Sequence, residues 1–236
     1  MLRHQILITM TVVMVDELRL ENARLERSLA EKEVLIKELH HRAKNNLQII
    51  ASLLRLQAKA ATDEKVTAVL QESQHRLDAL AMIHEQLYES ANSRQVHLEH
   101  QANLLIANLF TAFGVDSSRI SARVAIHARP EGGPLVLDVD QAIPIGLILN
   151  ELVSNALKHA FPDGRSGLIR VEAQCHEDKV SLAVIDDGVG VPEDLGTRKS
   201  KSLGLQIVEI LARQLRGTWE LKREAGTMFR LSFPER

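Results

Sequence analysis

Apolar residues recur on a heptad along the first part of the chain: Val15, Leu18, Leu25, Leu29, Ile36, Leu39 and Ala43. No Gly or Pro interrupts residues 16–60, so the pattern predicts one long helix. Asn22 and Lys32 occupy the seam between these residues. A polar seam residue often fixes register and oligomer state at some cost in stability. Such a helix would span roughly 65 Å, more than a domain's diameter. Its stripe needs cover, and self-association into a coiled coil supplies it. Thr62-Asp63 breaks the pattern and offers an N-cap. Helical spacing then resumes at Val66, Val69/Leu70, Leu77, Leu80, Ile83/His84 and Leu87. Two antiparallel helices make a hairpin, and two hairpins make a four-helix bundle, so a homodimer is expected.

Residues 91–94 read as a linker, after which helix and strand mix. Val96–Phe113 reads as a helix stopped by Gly114, Ser121–Ala128 as a strand, and Glu131–Pro134 as a turn. Gln141–Phe161 follows as a helix with Pro144 near its first turn. Leu168–Cys175 and Val180–Ile185 pair as strands, Leu203–Leu215 is a helix, and Trp219–Lys222 with Met228–Phe233 form a last hairpin. Mixing without strict alternation predicts an α+β sandwich, one sheet covered by helices. Residues 1–15 form a short segment of their own. The run Ile6–Val15 is too short to span a bilayer, which takes about 20 residues, and its β-branched content suggests a strand. The expected domains are thus a coiled-coil and helical-hairpin dimerisation region over 16–92 and an α/β region over 95–236.

Composition narrows the function. The formal net charge of −2 over 236 residues leaves no basic footprint for nucleic acid, and 3% aromatics offer few base-stacking platforms. The single Cys175 forms no internal disulfide, which suits a reducing, cytoplasmic setting. No membrane span is expected.

Two polar stretches carry chemistry. In the heptad register His41 faces outward, and Glu38 and Asn45 share its helical face at i−3 and i+4. A neutral imidazole is a competent nucleophile near pH 7. Glu38 is placed to accept the proton of the other ring nitrogen, and Arg42 and Lys44 to attract phosphate. Adjacent His side chains diverge on a helix, so a zinc site at His40-His41 is not expected. Two His on a helix face are by themselves an ordinary solvated surface. The run His40-His41-Arg42-x-Lys44-Asn45-Asn46-Leu47-Gln48, however, resembles the phosphoacceptor box of bacterial sensor histidine kinases of the HisKA-2 branch, related to the HWE kinases. The resemblance implies phosphorylation of the His directly before Arg, hence His41.

Downstream, Glu151 and Asn155 lie one helical turn apart, with Lys158 and His159 on the next. An Asn carbonyl with a nearby Glu suits a Mg²⁺ ion that bridges phosphates, and Lys158 adds positive charge. Asp186-Asp187-Gly188-Val189-Gly190 follows a predicted strand. A carboxylate there, Asp186, accepts from an adenine amino group and selects against guanine. Gly188 and Gly190 let the backbone approach a base. The polar stretch Val191–Ser202, with Arg198, Lys199 and Lys201, reads as a lid. Ser202-Leu203-Gly204-Leu205 opens a helix whose free N–H groups suit phosphate, and Thr227 in the last hairpin is placed to touch adenine through water. In this order the motifs resemble the GHKL (Bergerat) ATP-binding domain of histidine kinases, gyrase and Hsp90-type chaperones. HWE kinases carry Trp-x-Glu where this chain has Val191-Pro192-Glu193, so the HisKA-2 branch fits better.

The expected function is ATP- and Mg²⁺-dependent autophosphorylation on His41, followed by transfer to an Asp of a response-regulator receiver domain. The alternatives are a phosphotransfer or phosphatase scaffold with a degenerate nucleotide domain, and a GHKL ATPase using Glu151 as general base.

Overall fold

The computed structural model describes residues 2–89, 95–127, 133–191, 202–223 and 225–235. The expected linker at 91–94, the first part of the turn at 131–134 and nearly all of the lid stretch, Lys199 included, lie outside them. The chain divides into two compact units, Met1–Asn45 and Asn46–Arg236.

The first unit is helix. α1 (Leu2–Ala60) is already helical from its second residue, which corrects the strand expected in 6–15. The β-branched residues there follow the helix that continues unbroken behind them, and propensity is a weak prior against such context. The heptad residues Leu18, Leu25, Leu29, Ile36 and Leu39 are exposed along it.

The second unit holds the rest of α1, the helix α2 (Glu64–Glu89) and an α/β sandwich. Asp63 caps α2 as expected, its Oδ1 accepting from the Lys65 N–H at 2.7 Å. A three-residue strand β1 (Gln95–His97) precedes α3 (Leu98–Ala112) and pairs antiparallel with β3 (Val136–Asp138). Neither short strand is foreseen from the sequence. Between them runs β2 (Ile120–His127). α4 (Val139–His159) follows, its N-cap Asp138 accepting from Gln141 N–H, so Pro144 lies in the second turn rather than the first. Then come β4 (Gly167–His176), β5 (Lys179–Asp186), α5 (Leu203–Gln214), β6 (Thr218–Arg223) and β7 (Thr227–Pro234).

The main sheet has five strands in the order β2-β4-β5-β7-β6. β2 runs parallel to β4, and the other pairs are antiparallel. Alternate residues Ile169, Val171, Val180, Leu182, Val184, Phe229, Leu231 and Phe233 are buried in one core with the apolar faces of α3, α4 and α5. α2 packs on α4. The fully buried Ile83 seats over Gly146, where any Cβ would collide with it.

No helix among the described residues is long and apolar enough to cross a membrane. Ile83→Ala should lower unfolding stability by about 2–5 kcal/mol, since it empties a buried site against Gly146. Urea denaturation checks this, and a loss below about 1 kcal/mol would contradict the packing of α2 on α4.

Candidate functional site

α4 supplies the centre of the site because its two faces differ. Ala142, Ile145, Ile148, Leu149 and Val153 are buried in the core. The helical repeat turns Glu151, Asn155 and Lys158 away from that stripe. Beside this face lies a cavity of about 710 Å³, within the usual range for a small-molecule site. Asn155, Lys158 and His159 of α4 line it, with Asp186 and Gly190 after β5, Ser202 and Leu205 at the start of α5, and Thr227 and Phe229 of β7.

Asp186 is a buried carboxylate held in place by backbone. Its Oδ1 accepts from Gly188 N–H at 2.9 Å and Thr227 N–H at 3.2 Å. The pairing of Asp186 with Thr227 across β5 and β7 sets this geometry. The described contacts use Oδ1 only, so Oδ2 is available to a donor in the cavity. Gly188 does not line the cavity. It presses the loop onto the end of α4, where a Cβ would collide with the Ala160 carbonyl, and Val189 N–H donates to that carbonyl at 3.0 Å. This contact brings the Asn155–His159 turn to Asp186. Gly190 takes a φ of +78°, which favours glycine. Asp187 accepts from Leu168 N–H at 2.8 Å and braces the loop. Ser202 caps α5, accepting from Leu205 N–H at 3.4 Å.

Glu151, expected to hold a magnesium ion with Asn155, is buried and faces Arg76 of α2. Arg76 Nε donates to Oε1 at 2.5 Å and Nη2 to Oε2 at 3.0 Å. Arg76 also pairs with Glu72. Burial works against the Arg76 charge, but its bonds to Glu151 and Glu72 outweigh it and hold its pKa above the ordinary value. Gly204 lies over this pair rather than on the cavity wall, because a Cβ there would meet Glu151 Oε2.

α2 also contributes Glu72 and His75 to the cavity wall, which sequence reasoning missed. Lys158 Nζ lies 3.9 Å from Glu72 and 5.9 Å from the Phe113 ring centroid. The His75 ring lies 5.3 Å from that same ring, and among the described residues its buried Nδ1 has no hydrogen-bond partner. The only sequence signal for this group was the i,i+4 spacing of Glu72 and Arg76, which looks like any surface pair.

On the first unit His41 is exposed, as is the seam residue Leu39, and Asn45 is exposed a turn later. Glu38 is hydrogen-bonded to Arg42, with Nε to Oε1 at 3.1 Å.

Among the described residues no group of three or more His, Cys, Asp and Glu is arranged to hold a metal by itself. The Asn155 carbonyl suits a magnesium ion that arrives with phosphates, and Lys158 and the capped start of α5, which line the same cavity, suit the phosphates themselves.

Residues 140–236 match the family model for histidine kinase-, DNA gyrase B- and HSP90-like ATPases, which sets the class of the α/β region. This fold generally binds ATP with Mg²⁺. Residues 38–113 match the HisKA_2 histidine kinase model. The sensor histidine kinase PdtaS of Mycobacterium tuberculosis is 36% identical over 218 residues, covering 91% of this chain and 42% of that protein. Blue-light-activated histidine kinase 2 of Erythrobacter litoralis is 27% identical over 212 residues, 89% of this chain and 58% of that protein. The histidine kinase domain of the Erythrobacter litoralis EL346 blue-light activated kinase superposes with a TM-score of 0.61 at 26% identity, over 84% of this chain and 91% of that one. The chain belongs to the bacterial sensor histidine kinases that join a HisKA_2 region to a GHKL-type ATPase domain. It spans about two fifths of the length of its mycobacterial relatives.

Burial, with Lys158 adding to it, depresses the His75 pKa, against smaller opposing effects of Asp78 and Glu72; burial depresses that of His84. A depressed histidine pKa gives stability that is present above the unfolded value, about 6.5, and lost as pH falls through the folded one. The melting temperature should therefore drop on acidification below about pH 6.5, and His75→Asn/His84→Asn should flatten that drop. Thermal melts at stepped pH check this, an equal acid loss in the double variant being the contrary result.

Proposed function

We propose that this chain phosphorylates His41 from Mg-ATP and passes the phosphoryl group to an Asp of a response-regulator receiver domain. One observation carries the reading: Asp186, fixed by two backbone N–H donors, shares a cavity with Asn155, Lys158, Ser202 and Thr227, in a chain that also exposes His41 on a HisKA_2 helix.

Asp186 accepts the exocyclic amine of adenine, with Thr227 beside it, while Gly190 lets the loop approach the base and Gly188 packs that loop onto the end of α4. His159 and Lys158 flank the phosphates, and Ser202 with the N-terminus of α5 receives them, Gly204 allowing that turn to pack closely. Lys199, in the lid stretch, adds positive charge for them. Asn155 would hold a magnesium ion, which would supply charge neutralisation on the phosphate oxygens. Glu151 is taken up by Arg76, so among the expected magnesium ligands the role rests on Asn155. His41 attacks the terminal phosphorus in line. The N–P bond forms as the bond to the bridging oxygen breaks, and ADP leaves. Arg42 and Asn45 orient the incoming phosphate, and Glu38 takes the proton of the second ring nitrogen once it lets go of Arg42. The helical region 16–92 serves as phosphoacceptor and dimerisation domain, and 95–236 as ATP-binding domain. A homodimeric four-helix bundle is supported by the exposed apolar residues Leu25, Leu29, Leu39, Ile49, Leu53, Val66 and Val69.

Incubation with γ-labelled ATP should give an acid-labile label on the wild type and none on His41→Ala. Asn155→Ala and Asp186→Ala should each weaken Mg-ATP binding roughly 10- to 100-fold, the range for losing a hydrogen bond to a charged group, with circular dichroism unchanged. Full labelling of His41→Ala would refute the reading.

A further inference from the structure

The Arg76–Glu151 pair has no part in the reaction described above, yet it sits at a telling place. Glu151 lies one helical turn before Asn155, and its side chain is 3% exposed. Arg76 reaches it from α2 and is 14% exposed. The pair lies under the first turn of α5, where Gly204 leaves no room for a Cβ. That turn carries Ser202 and Leu205 into the cavity. The ion pair therefore stands directly behind the end of the cavity formed by Asn155, Lys158 and Ser202. A carboxylate at this depth, without a cation, would oppose any polyanion bound in front of it, because charges act strongly through a poorly screened interior. α4 supplies no cation for Glu151, and its Lys158 faces Glu72 instead.

We propose that Arg76 is a positioning residue for the phosphates: supplied by α2, it neutralises Glu151 behind the Asn155–Lys158–Ser202 end of the cavity and so lets that end accept a polyphosphate. The helical hairpin is then a working part of the nucleotide site, and nucleotide affinity depends on its docking. Fixing both Glu151 oxygens on one guanidinium also keeps this face of α4 and the start of α5 in register. The inference rests on the cavity being a nucleotide site.

The test is titration of the full chain with Mg-ATP and, separately, with adenosine, which lacks the phosphates. Arg76→Gln should weaken Mg-ATP binding on the order of tenfold, the scale of an unneutralised charge acting across a partly screened interior, and leave adenosine, which carries no charge, within about twofold. Arg76→Gln/Glu151→Gln, which removes both charges and keeps hydrogen-bonding side chains, should return Mg-ATP affinity to within about threefold of wild type. Arg76→Lys, which retains the charge but loses the two-point grip on Glu151, should weaken Mg-ATP binding less than Arg76→Gln does. Equal weakening of both ligands by Arg76→Gln, or no recovery in the double variant, would reduce Arg76 to a packing element and overturn the proposal. If Arg76→Gln does not fold, the double variant and Arg76→Lys decide it, loss of Mg-ATP binding in both being the negative result. Failure of the wild type to bind Mg-ATP would sink the site's nucleotide reading itself, whereas normal binding with an indifferent Arg76→Gln would sink this inference alone.

Discussion

The dry seam between α4 and the sheet sets where every polar group of the site stands. Ile145, Ile148, Leu149 and Val153 are fully or almost fully buried and share one core with Ile169, Val171, Leu182 and Leu231. Burying each such side chain is worth about 1.5–3 kcal/mol. The sum far exceeds what Asn155 or Lys158 could gain by reorienting the helix. A rotation by one residue would carry a polar side chain into that seam and expose an isoleucine, with loss on both counts. Packing therefore aims α4, and the polar residues are where the 3.6 repeat leaves them. Gly188 completes the arrangement by letting the β5 loop close on the last turn of α4.

Two buried carboxylates flank the cavity, and their partners give them opposite roles. Asp186 is held through one oxygen by two backbone N–H groups, which leaves the other oxygen facing outward to a ligand. Glu151 has both oxygens on Arg76. Removing one partner of such a buried pair typically costs about 3–5 kcal/mol, because the remaining charge is stranded. The acid whose donors are backbone thus keeps one oxygen for the cavity, and the acid whose donor is a side chain on another helix is fully engaged.

How far the sequence led can be judged residue by residue. α2, α4, α5 and the strands β4, β5 and β7 were legible because their apolar spacing is long enough to show its period. The convergence of Asn155 with Asp186 came from motif order, since no periodicity relates a helix face to a distant strand end. The pair Gln95–His97 and Val136–Asp138 was illegible because three residues show no alternation. The helix over 6–15 was misread because local β-branched preference was set against a long helix that continues through it. Glu151 was placed on the correct helical face, but its partner comes from α2, and only tertiary packing could reveal that.

The partner of Glu151 also bears on transfer against hydrolysis. A carboxylate one turn from an asparagine beside bound phosphates is chemically suited to activate water. To do so it needs a free lone pair and space for the water. In this structure Glu151 offers neither: each oxygen accepts from the Arg76 guanidinium, the side chain is 3% exposed, and the first turn of α5 closes over it. The lysine nearest the same wall is drawn toward Glu72 and the Phe113 ring, so it does not replace that base. On the reading proposed above, this engagement removes Glu151 as the candidate base at that wall. The proposed acceptor, His41, is exposed on a helix that the HisKA_2 match includes.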